Sequence, residues 1–304
     1  VLAILTPLIP VFLVIGLGFL LKRRGFPGEG VWQPLDQLNY FIMFPALLLH
    51  TLATADLTSF DVWPMAAALA TGQLTIIVIL LVGNRFYHLA GPSFSSVFQG
   101  AVRWNTFVAL AAIASLYGDH GITMAAVAVA VLVPISNTSC IIALTHYALR
   151  EPIHPVAIAK VLVKNPLLIA CAIGIFLNAS GLGLPGALAI TAKIIGDASL
   201  TLGLLSVGAG LSIGHMIEEK IPVLYTSTLK LLGMPILMMI ACHIFGVDGL
   251  PRLVVLICAS VPGATSSYVL ARQLGGDLDL MASTITGGTV LAVITMPLML
   301  WIFG

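Results

Sequence analysis

Charge is what this sequence lacks most. Of its 304 residues only 8% are charged, against about 25% in a soluble globular protein. So few charges cannot cover the surface of a soluble domain of this size. Aromatic residues are modest at 8%, yet hydrophobic residues reach 59%, so the excess is aliphatic and small. The shortage of charge excludes a disordered chain and a nucleic-acid binder, and the net charge of +1 points to no partner. Cysteine is scarce too. Cys140, Cys171, Cys242 and Cys258 all lie inside apolar runs, without the spacing of a metal or redox pair. A secreted disulfide scaffold is excluded, and the four read as free thiols facing lipid or core. The sequence has no H-E-x-x-H, no P-loop and no G-x-S-x-G. His215-Met216-Ile217-Glu218 has a spacing compatible with a metal but no third ligand, so it reads as a solvated helix end. No metal or cofactor is expected. What remains is a polytopic membrane protein.

A helix crossing a ~30 Å hydrocarbon layer needs about 20 residues. Ten stretches meet or nearly meet that length: 3–21, 34–53, 62–82, 94–116, 122–147, 165–181, 186–213, 221–245, 251–273 and 280–303. The first has no charged stretch before it and no small-residue cleavage pattern after it, so it reads as a span and not a signal peptide. The chain opens on Val1, and at least an initiating methionine is expected before it. Span seven is too long for one straight crossing, and its first turns, 185–191, are expected to lie in the interface. The segment 155–163 is expected to form a surface helix.

Loop charge gives orientation. Loops on one side carry Lys22, Arg23, Arg24, Arg85, Arg150, Lys160, Lys164 and Lys220. Loops on the other carry Asp56, Asp61, Asp119 and Asp248, and no base. The basic side is expected to be cytoplasmic, with both termini outside.

The chain divides into 1–154 and 155–304, with five spans in each part. An odd number per half turns the second half upside down relative to the first, as in many secondary transporters. Ile15-Gly16 answers Ile173-Gly174, and Gly118-Asp119 answers Gly276-Asp277, at the same offset of 158 residues. The expected fold is all-α: ten transmembrane helices in two inverted five-helix repeats.

Spans four and nine are the least regular. Arg103-Trp104-Asn105-Thr106 and Val261-Pro262-Gly263-Ala264-Thr265-Ser266-Ser267 each lie about ten residues in from a membrane face, near the midplane. Pro262 removes a backbone donor and Gly263 favours an unwound turn. Irregular backbone at that depth is tolerated only inside protein or against a wet cavity. Two broken helices meeting there aim half-helix N-termini at one point, which favours an anion.

These residues carry a resemblance. The chain resembles bacterial members of the auxin efflux carrier family, which includes malonate and malate permeases and the plant PIN carriers. The resemblance rests on Leu38-Asn39 with Pro45, on 103–106 through Leu116-Tyr117-Gly118, on Lys164-Asn165-Pro166, and on Val261-Pro262 through Ala271. It implies a fold similar to sodium/proton antiporters and bile-acid symporters. Spans 1, 2, 6 and 7 are then a panel (scaffold) domain, and spans 3–5 and 8–10 a crossover (transport) domain. It further implies elevator-like transport of small organic anions, mono- or dicarboxylates such as malonate or malate or auxin-like acids, and a homodimer. Leu110 and Ala112 stand where family members usually carry Gly and Pro, and Ser267 replaces a proline of plant sequences. The last change argues against a plant-type auxin substrate.

The expected substrate residues are Arg103, Asn105, Thr106, Pro262, Gly263, Thr265 and Ser266. Asn105 suits a carboxylate contact, with interhelical glue as the bland reading. Arg103 at the midplane needs a compensating group, either a substrate carboxylate or protein acids and carbonyls. In an intact helix Arg103 and Asn105 point ~200° apart, so they share a cavity only if the helix is broken. Thr265 and Ser266 offer hydroxyls or bond their own preceding turn. Asp36, Asn39, Asn137 and Asp197 are expected in coupling or supporting roles, with Lys193 pairing Asp197 one turn away. Lys230 is expected to snorkel to lipid headgroups. The residues fit coupling to a proton, to sodium or to neither. The rival readings are a sodium-coupled bile-acid-type symporter, a non-transporting membrane sensor, and an intramembrane enzyme. The only material for an enzyme is Cys242 with His243 or His146, and adjacent residues point ~100° apart on a helix.

Overall fold

The computed structural model describes residues 2–28, 30–55, 62–87, 89–152, 155–212 and 220–304. Among them there are helices and turns and no strand. Asp56, Asp61 and the 215–218 motif lie outside the described residues.

Helix α1 (Leu2–Arg23) ends on Lys22 and Arg23, bases that suit a helix C-terminus. Helix α2 (Trp32–Leu38) continues through a π-helical turn, Asn39–Met43, into α3 (Phe44–Thr54). The cause is Pro45. Its ring collides with the carbonyl four residues back, Phe41, and the wider turn there relieves the clash. The same device recurs where α10 (Lys220–Thr228) passes through Leu229–Gly233 into α11 (Met234–Phe245), with Pro235 as the cause.

Helix α4 (Val62–Tyr87) is followed by α5 (Gly91–Val102), which stops at an extended Arg103. Helix α6 (Thr106–Ala143) folds back at Gly118, whose φ of 58° and ψ of −148° suit glycine alone. It ends in a π-helical turn, Leu144–Leu149. The surface helix expected at 155–163 is α7 (Pro155–Val163), with Val156 exposed. Then follow α8 (Pro166–Ala179), α9 (Gly186–Ala209), α12 (Gly249–Ser260), α13 (Ser266–Gln273) and α14 (Leu278–Phe303). Helix α9 starts at Gly186 and runs on as one helix, without a break after the turns expected in the interface.

Among the described residues, six helical stretches are long and apolar enough to cross a membrane. One of them, Gly91–Leu149, is interrupted at Arg103 and turned at Gly118. Helices α8 and α12 are apolar but shorter, at 14 and 12 residues. The outer surface is greasy: Leu13, Trp63, Ile194, Ile294 and Trp301 are all more than half exposed. A surface of that kind suits lipid.

Two packing groups position the site. In one, α1 lies on α9, and α3 lies on α8 and α9. The contact of α1 with α9 is close enough that a Cβ on Gly208 would collide with the Ile15 carbonyl oxygen. In the other, α4 packs on α6 and α11, while α12 and α14 pack on α5, α6, α10 and α11 in turn. All four cysteines are free and buried. Lys230 corrects an expectation: it does not reach outward but is 3% exposed, inside the second group.

Candidate substrate site at the crossing of two broken helices

Two interruptions meet in this fold. Residues Arg103–Asn105 separate α5 from α6, and Val261–Thr265 separate α12 from α13. The backbone N–H of Asn105 donates to the Pro262 carbonyl at 2.9 Å. A Cβ on Gly263 would come within 3.2 Å of the Gly100 carbonyl oxygen, so glycine allows the two chains to cross closely.

Each side of the first break is tied down. The Gln73 amide on α4 donates to the Val102 carbonyl at 2.7 Å and to Ser136 Oγ at 3.3 Å. This closes one of the carbonyls that the end of α5 leaves open. Asn105 caps α6, its Oδ1 accepting from the Val108 N–H at 3.2 Å. With the oxygen so used, the Asn105 Nδ2 is buried without a partner. A buried donor of this kind is costly unless a ligand or water completes it.

A cavity of about 90 Å³ lies against the crossing. Arg103, Asn105 and Thr106 line it from the first break, and Thr265 and Ser266 from the second. Ser136 and Asn137 of α6 line it as well. Tyr40 and Phe44, from the α2–α3 segment, complete the lining together with Leu167 of α8. The Arg103 Nη2 donates to Ser266 Oγ at 2.8 Å, joining the two breaks at the cavity wall. Because the helix is interrupted, Arg103 and Asn105 face one space. Arg103 is the charged group of the lining, and among the described residues no carboxylate lines it. The N-termini of α6 and α13 start at the cavity, which adds positive potential. The volume is far below the ~300 Å³ at the small end of ordinary ligand pockets, so the space suits a small ion.

The other expected residues fall elsewhere. Pro262 and Gly263 build the crossing and do not line the cavity. Asn39 is 1% exposed and exchanges bonds with Ser199 of α9: its Nδ2 donates to the Ser199 carbonyl at 3.1 Å, and Ser199 Oγ donates back at 2.6 Å. Asp36 is exposed on α2. Asp197 pairs with Lys193 at 3.3 Å, with both side chains more than half exposed. Cys242 is fully buried while His243 is exposed, so the two diverge. Among the described residues no cluster of His, Cys, Asp or Glu is fit to hold a metal.

Sequence reasoning missed Gln73, Ser136, Tyr40 and Phe44. Gln73 left a signal, a lone amide in an apolar span, which is costly in lipid and so marks an interior role. Tyr40 and Phe44 left none, because aromatic residues at helical spacing look the same in a core and in a binding wall.

Comparison with known proteins points to membrane transport. Residues 153–300 match the family model described as membrane transport protein. An uncharacterized transporter of the archaeon Methanothermobacter thermautotrophicus is 26% identical over 292 residues, covering 95% of this chain and 94% of that protein. Together the two matches support a transporter of the auxin efflux carrier family. The resemblance drawn from the broken spans is thereby borne out, and the chain is a multi-pass membrane protein. Shorter matches run to bile-acid carriers. Sodium/bile acid cotransporter 4 of Mus musculus is 27% identical over 109 residues, 35% of this chain and 25% of that protein. The ileal sodium/bile acid cotransporter of Oryctolagus cuniculus is 39% identical over 70 residues, 23% of this chain and 20% of that protein.

Proposed function

We propose that this protein carries small organic anions, mono- or dicarboxylates such as malonate or malate, by elevator-type alternating access. The observation that carries this reading is the shared cavity of Arg103 and Asn105. A guanidinium, an unpartnered amide donor and two helix N-termini converge there without an opposing acid. That set fits a carboxylate. Thr106, Thr265 and Ser266 supply further hydroxyls.

The fold reading behind it has ten spans in two inverted five-helix repeats. The group of α1, α2–α3, α8 and α9 is the panel, and α4–α6 with α10–α14 is the crossover bundle that slides. The Asn105–Pro262 bond keeps the two breaks together, so the site moves as one body. The basic loops face the cytoplasm, both termini face out, and a homodimer forms through the panel. The membrane is a bacterial-type cytoplasmic membrane. A proton or sodium gradient, or neither, drives the cycle. The short matches to bile-acid carriers favour sodium coupling as a second reading.

Uptake of radiolabelled malonate, malate and an indole acid into proteoliposomes tests both. Saturable uptake of one acid without a sodium requirement supports the carrier reading. Strict sodium dependence moves the protein to the symporter reading. No uptake of any acid under any gradient contradicts both and favours a non-transporting sensor.

A further inference from the structure

Among the described residues, Lys230 is the only charged side chain that is buried. A lysine inside a membrane protein is costly and needs compensation. Among the described residues no carboxylate forms an ion pair with it.

What Lys230 has instead is the end of a broken helix. It sits in the π-helical turn Leu229–Gly233, which packs on α12, α14 and α5. Cys258 lies in the last turn of α12, the helix against which this turn packs. Helix α12 stops at Ser260, and Pro262 beyond it has no N–H to offer the last carbonyls. The C-terminal end of a helix is electronegative and favours a cation.

Position agrees. A Cβ built on Gly288 lies 3.9 Å from both Ser227 Oγ and Pro262 Cβ, so the end of α10, three residues before Lys230, borders the second break. Three elements around that turn each bring polar atoms that are buried without a protein partner: Gln99 on α5, Ser227 on α10 and Thr284 on α14. Buried atoms of this kind are completed by ordered water, which can also solvate an ammonium. The first break has its own counterpart. There the Gln73 amide closes the Val102 carbonyl at the end of α5. Under the repeat offset of 158 residues, Lys230 answers Gly72, the neighbour of Gln73.

We propose that Lys230 is the positioning residue of the second break. Its ammonium neutralises the carbonyl end of α12 and so holds Pro262 where its carbonyl receives the Asn105 N–H. It does not line the cavity and does not touch the substrate.

Peptide-resolved hydrogen exchange on the purified full chain tests this, with wild type, Lys230→Met and Lys230→Arg side by side. In Lys230→Met, exchange is expected to rise about tenfold in peptides spanning 256–266 and 103–108, with α1 and α9 unchanged. Lys230→Arg is expected to keep the wild-type pattern. Wild-type exchange at the crossing in Lys230→Met overturns the proposal, as does equal loosening throughout the chain. Lys230→Arg as loose as Lys230→Met also overturns it. Should Lys230→Met fail to fold, Lys230→Gln takes its place against Lys230→Arg on the same peptides, with the same expectations. Flux in the same variants rests on the carrier reading. If wild type carries no anion, that reading fails, while exchange still decides the role of Lys230.

Discussion

The backbone N–H of Asn105 donates to the Pro262 carbonyl at 2.9 Å, across 157 positions of sequence. Neither residue sits in a regular helix, so neither has an intrahelical partner for that group. One bond therefore satisfies two openings and joins the two breaks. It also leaves the Asn105 side chain free to cap α6 with its oxygen, while its nitrogen stays buried without a partner.

Arg103 grips both the second break and, in the proposed function, the substrate. Lys in its place keeps the charge but loses the planar fork and the bond to Ser266. Arg103→Lys is expected to raise the KM of transport about tenfold with little change in thermal stability. Concentration-dependent uptake and a melting curve in detergent check this. An unchanged KM would place the substrate elsewhere.

Gln73 acts on stability more than on the substrate. Gln73→Leu removes the donor to the Val102 carbonyl and leaves that carbonyl buried and open. The expected loss is about 1–3 kcal/mol. A melting temperature equal to wild type would mean that the end of α5 does not depend on this amide.

Much of this was legible in the sequence, for a physical reason. Apolar runs of the right length mark spans, and Pro262-Gly263 at midplane depth marks a break, because few other residues interrupt a helix there. Side-chain direction was not legible. Lys230 was assigned to the headgroups because its depth allowed snorkelling, yet the π-helical turn before Pro235 turns it inward. Asp197 had suitable depth for coupling, yet it is exposed and paired with Lys193. Tyr40 reaches the cavity by tertiary packing between α2–α3 and the crossing, which no local pattern encodes.

Movement can be tested where the two packing groups touch. The Ser212 N–H, just past α9, donates to Thr286 Oγ1 of α14 at 2.9 Å. A sliding bundle must break this contact in each cycle. The double variant Ser212→Cys, Thr286→Cys is expected to lose transport on oxidation and to recover it on reduction. Full transport by a completely cross-linked protein would contradict the elevator motion.

The most direct test of the site is paired flux of wild type, Asn105→Ala and Asn105→Asp in proteoliposomes, read beside thermal unfolding. Asn105→Ala loses the cap and is expected to cost about 1 kcal/mol of stability. Asn105→Asp keeps a capping oxygen but replaces the free amide donor with a negative charge. The account predicts that both variants fold and both lose anion uptake, with Asn105→Asp the better folded of the two. Near-normal uptake by a folded Asn105→Asp protein would contradict an anion held at the crossing.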